Sequence, residues 1–69
     1  MKDEDIRIGQ IVRYVGKDKF GFDNDHTGQL FTVVNRSWDH GGNEYDYHIV
    51  NYWGEERGNV PPSSLEEVE

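Results

Sequence analysis

The sequence contains no cysteine, so disulfide staples and thiolate metal sites are excluded. Proline occurs only as the adjacent pair Pro61-Pro62. Basic residues are scarce: seven Lys and Arg stand against fourteen Asp and Glu, a formal net charge of −7. That deficit removes the cationic stripe that counterion release on a nucleic acid requires, and like charge slows approach to any polyanion. Nucleic acid and anionic membrane surfaces are therefore not expected partners. No apolar run approaches the roughly 20 residues that span a bilayer. The opening MKDEDIRIG carries acids where a signal peptide has a basic and then an apolar region. A cytoplasmic location is expected.

What is present is aromatic. Two tryptophans, four tyrosines and three phenylalanines give nine rings in 69 residues. The length allows one domain. At this size a core supplies about 3–5 kcal/mol of net stability, and each buried ring removes roughly 150–250 Å² from water. The rings are the main packing material.

Residues 1–5 are mostly charged and expected to be disordered, leaving a single domain over residues 6–69. IRIGQIVRYVG alternates Val12 and Tyr14 with Arg13 and is β-branched, which predicts a strand. KDKFGFDNDHTGQ, residues 17–29, is polar and without alternation; a long loop is expected. LFTVVNRSW reads as a strand. DHGGNE reads as a turn, with the Gly-Gly pair expected to supply positive φ. In YDYHIVNYW, Tyr45, Tyr47 and Ile49 share one face and Asp46, His48 and Val50 the other. GEERGN is expected to connect to a fourth strand ending at Val60. Pro61 and Pro62 lack donors, so the strand must stop there. PPSS suits one 3₁₀ turn, after which LEEVE resumes as a last short strand that can pair with the first. The expected fold is an all-β, five-stranded SH3-like barrel with a 3₁₀ turn before the last strand.

The tail GNVPPSSLEEVE resembles the ending of SH3 domains, and GQIVRYVG resembles the first strand of many SH3-like barrels. DHTGQLFTVV and EYDYHIV are similar to segments of small prophage-encoded SH3-like proteins of the YorP-like type. The resemblance implies the fold and carries no activity with it. Ser63 and Ser64 follow Pro62 where SH3 domains place an aromatic, and their Ala-Leu-Tyr-Asp-Tyr signature is missing from the first strand. A proline-rich ligand is therefore not expected.

Three constellations point to chemistry and fall short of it. Asp23, Asp25 and Gly28 match the start of a calcium loop, but Val34 stands where the bidentate glutamate belongs. His26, His40 and His48 have no partners at zinc-ligand spacing. Ser63 and Ser64 lack a nucleophile elbow and suit a turn. No cofactor, no metal and no enzymatic activity are expected.

The rings carry the functional reading. Tyr14, Phe31, Tyr47 and Tyr45 occupy strand positions and are assigned to the core. Phe20, Phe22, Trp38, Tyr52 and Trp53 fall in loops or at strand ends. They are the candidate binding residues of a monomeric module for a protein or peptide of basic character, held by ring faces and acidic rims. The competing reading makes them plugs of the open barrel ends. The alternative function is an acidic nucleic-acid mimic that occupies a host DNA- or RNA-binding protein.

Overall fold

The computed structural model describes residues 1–18, 21–22 and 26–68, the side chains of residues 17, 18, 21 and 22 excepted. The strands are β1 (Ile11–Tyr14), β2 (Lys17–Asp18), β3 (Gly21–Phe22), β4 (Leu30–Asp39), β5 (Glu44–Asn51), β6 (Glu56–Val60) and β7 (Leu65–Glu67). Five of them form one antiparallel sheet in the order β6-β5-β4-β1-β7. This is the strand order of an SH3-like barrel, open between its two edge strands. Among the described residues no helix exceeds the single 3₁₀ turns at Asp3–Asp5 and Pro62–Ser64, and none is long and apolar enough to cross a membrane.

The proline corner closes the fold as its chemistry demands. Pro61 is extended at φ −75° and ψ 159°, and Pro62 opens the turn without an amide donor to waste. The Ser64 amide donates to Pro61 O at 3.0 Å, and the Val15 amide donates to Ser64 O at 2.8 Å. The chain is thereby turned so that Leu65 lies opposite Tyr14 and Glu66 opposite Arg13.

The inner faces meet in one core of Ile6, Val12, Tyr14, Phe31, Val33, Tyr47, Ile49, Val60 and Leu65. Alternation places them: Val12 and Tyr14 on β1, Phe31 and Val33 on β4, Tyr47 and Ile49 on β5. Tyr14 and Phe31 meet edge to face at 5.8 Å. A register shift between Val33 and Asn35 inserts Val34 as an extra residue and bends the long β4–β5 hairpin.

Four local expectations are corrected. Residues 17–29 are not one uninterrupted loop, since β2 and β3 pair as a small hairpin with Lys17 opposite Phe22. The third strand of the main sheet stops at Asn51, so Tyr52 and Trp53 belong to the turn, and Glu56–Arg57 already belong to β6. In the β4–β5 turn the left-handed residue is Asn43, at φ 53°; a short side chain that bonds locally tolerates that region. The expected disorder of residues 1–5 gives way to a docked turn. The Met1 nitrogen donates to Pro62 O and Leu65 O, and Asp3 accepts from the Tyr47 hydroxyl at 2.8 Å and the Tyr45 amide at 3.2 Å. Charge alone suggested fraying; specific acceptors for buried donors outweigh it.

Candidate functional site

The five candidate rings do not form one cluster. Phe20 lies outside the described residues, as does the Phe22 side chain; the backbone of Phe22 belongs to β3. Trp38 sits inside β4, 44% exposed, while Tyr52 and Trp53 project from the β5–β6 turn, 92% and 70% exposed. These two rings do not plug the barrel. Trp38 lies opposite Tyr45 near one end of β5, and Tyr52 follows the other end. At about 3.3 Å per residue those ends lie roughly 20 Å apart.

The Trp38 end is wired into the core. Trp38 packs edge to face on Tyr45 at 5.0 Å, and Tyr45 tilts against Tyr47 at 6.4 Å. The Arg36 guanidinium lies 4.3 Å over the Tyr45 ring. Burial of the Tyr47 ring, and next the Asp3 carboxylate bonded to its hydroxyl, push its ionisation well above the ordinary tyrosine range. The neutral phenol is locked in place as a donor.

The Tyr52 end is built for display. Asn51 is buried and organises the turn: its carbonyl oxygen accepts from the Trp53 amide at 3.1 Å and the Glu55 amide at 2.9 Å. Its amide nitrogen donates to Gln29 Oε1 at 3.0 Å and Glu55 Oε1 at 2.9 Å. Gly54, at φ 82°, supplies the left-handed residue that the turn requires. Two imidazole–carboxylate pairs flank it, His26 with Glu55 and His48 with Glu56, each at 3.2 Å. With the turn so held, Tyr52 and Trp53 stack edge to face at 5.8 Å above the surface.

Beside Tyr52 the outer face of the sheet is apolar. Ile11, Leu30, Thr32 and Val50 line a shallow trough of about 290 Å³ against Tyr52. Three of them are direct cross-strand neighbours, Ile11 pairing with Thr32 and Thr32 with Val50, and Leu30 stands two residues from Thr32 along β4. Exposed Ile8 and Val34 lie on neighbouring segments, which the Gly9 amide joins by donating to Val33 O. Sequence reasoning assigned no function to these aliphatics. A signal for them existed: Leu30, Thr32 and Val34 take the outward positions of β4, where a half-solvated strand normally places polar residues.

Among the described residues no group of three His, Asp or Glu is placed to hold a metal ion, and the Asp23 and Asp25 of the calcium-like segment lie outside those residues. His48 faces outward, opposite to Tyr47, as alternation requires. Ser63 is exposed and Ser64 buried in the proline corner. Comparison with protein families, with curated proteins and with solved structures finds no match.

Proposed function

We propose that this chain is a non-enzymatic binding module, an SH3-like barrel that docks a protein or peptide of basic character on the outer face of its sheet, at the Tyr52–Trp53 turn. One observation carries the reading: among the described residues, four of the seven exposed large apolar side chains, Ile11, Leu30, Tyr52 and Trp53, belong to that face or its turn. Singly exposed apolar side chains are ordinary, but a contiguous apolar face with a polar rim marks an interaction site. Tyrosine and tryptophan are the residues that most often dominate interface energies. Glu55 and Glu56 at the rim, with the overall charge of −7, favour a cationic partner and speed its approach.

The second reading, an acidic nucleic-acid mimic, needs carboxylates in rows along one face. Among the described residues the acids are instead divided among the Asp3–Asp5 turn, Asp18 in β2, the β4–β5 hairpin with Asp39, Glu44 and Asp46, Glu55 and Glu56 where β6 begins, and Glu66 and Glu67 in β7. Affinity capture with wild type, Trp38→Ala and the Tyr52→Ala/Trp53→Ala double variant tests the choice. Wild type and Trp38→Ala are expected to retain the same basic protein, less strongly as salt is raised, and the double variant to lose it. Retention by the double variant sinks the reading. If that retained protein binds nucleic acid and is released by neutralising carboxylates, the mimic takes its place.

A further inference from the structure

We propose that the trough beside Tyr52 is an anchor pocket for one bulky apolar side chain, and that Glu56, with Glu55, takes a lysine or arginine of the same partner segment. The inference rests on the outer face being the docking surface and names what that surface recognises.

The lining carries no carboxylate, imidazole, lysine or arginine side chain. Its polar groups are the Thr32 and Tyr52 hydroxyls and the Asn51 amide, and both ends of that amide are already engaged within the turn. A polar group entering the trough would leave water for few partners, whereas an apolar one loses nothing. About 290 Å³ lies at the lower edge of ligand-pocket sizes. It suits one side chain rather than a cofactor. The floor crosses β1, β4 and β5, and the charge on its two sides differs. On the β6 side Glu56 lies opposite Val50, one strand spacing from the floor, about 4.8 Å away. On the β1 side Arg13 lies opposite Leu30, its guanidinium donating to Gly28 O, with Glu66 across from it on β7. An apolar anchor with a cationic neighbour on the β6 side satisfies both features and fixes the direction of the segment. A second copy of this chain satisfies only the first, since it would bring its own excess of acids to the same rim.

Three short capped peptides serve as probes, Lys-Phe-Lys, Glu-Phe-Glu and Lys-Gly-Lys, each titrated into the chain and followed by NMR. The Val50 and Leu30 methyl signals report the trough, and the Trp38 indole serves as reference at the far end of β5. Lys-Phe-Lys is expected to move the methyl signals saturably and leave Trp38 in place. Glu-Phe-Glu and Lys-Gly-Lys are each expected to bind about tenfold more weakly. Thr32→Arg, which fills the trough from an outward position, is expected to abolish the response while the spectrum stays dispersed. The proposal is overturned if Lys-Phe-Lys moves nothing, moves Trp38 equally, or binds no better than Glu-Phe-Glu. It is also overturned if dilution without peptide shifts the same methyl signals, which assigns the face to a second copy. Partner capture that the double variant loses, with no peptide response, overturns the anchor pocket and leaves the module standing.

Discussion

The two ends of β5 carry similar side chains under opposite constraints. At the Trp38 end each ring leans on the next, from Trp38 through Tyr45 to Tyr47, and the last is bonded to Asp3 while Arg36 covers the middle one. At the other end Tyr52 and Trp53 touch mainly each other, and the polar bonds run beneath them through Asn51. In the first arrangement a hydrogen bond holds the innermost ring itself and the other two pack onto it. In the second hydrogen bonds fix the turn and leave the rings outside. The difference teaches that an aromatic residue is structural or available according to where the neighbouring polar groups spend their bonds.

Truncation should break this contrast most sharply at the wired end. Tyr47→Ala is expected to cost about 3–5 kcal/mol, the usual range for a buried ring. For a domain of this size that is most of the folding free energy, so a urea melt should find the variant largely unfolded. If it stays folded near the wild-type midpoint, the ring ladder is not part of the core.

Tyr47→Phe is the finer probe. It removes one hydrogen bond to a charged acceptor and is expected to cost about 1.5–3 kcal/mol. It also carries a pH signature. The folded phenol ionises above its ordinary value, so its contribution is complete below about pH 10, where the unfolded tyrosine begins to lose its proton. Above that the stability conferred by Tyr47 falls by up to about 1.4 kcal/mol per pH unit. Melts from pH 8 to 11 should show a steeper alkaline decline in wild type than in Tyr47→Phe; parallel curves would refute the role given to the buried hydroxyl.

Asn51→Ala addresses the other end. The amides of Trp53 and Glu55 lose their acceptor in a partly exposed turn, for which about 1–2 kcal/mol is expected, near the cost of a lost capping side chain. Hydrogen exchange should quicken at those two amides while Phe31 and Ile49 stay protected. Uniform acceleration would mean that Asn51 supports the whole barrel.

The smallest effect is expected where the rings are largest and most exposed. Tyr52→Ala and Trp53→Ala should each stay within about 0.5 kcal/mol of wild type in thermal melts, as surface substitutions do. A loss of several kcal/mol at either residue would erase the contrast between the ends and remove the docking face.

Alternation and the proline pair, both local, made the barrel legible. Period-2 patterning in IVRY and YDYHIV put Val12, Tyr14, Tyr47 and Ile49 inside, and two donor-less prolines could only end a strand. Which exposed rings share a surface had no such local basis. Sequence distance says little about which ends of two strands meet, and Trp38 and Tyr52 parted because register placed them at opposite ends of β5. Likewise the local sequence shows Asp3 only as one charge in a polar tail, since nothing local reveals that Tyr45 and Tyr47, more than forty residues away, present donors to it.

By itself, then, the sequence determined the strands of the main sheet, their inner faces and the proline corner, because these follow from backbone dihedrals, donor loss and side-chain alternation, which act over a few residues. Only the tertiary structure decided which exposed residues share a surface. Leu30 and Val50 become neighbours of Ile11 through the pairing of β1, β4 and β5, and Tyr52 joins them because Asn51 bonds across to Gln29. Contacts of that kind join distant segments of the chain, and the core packing that sets the pairing holds them in place.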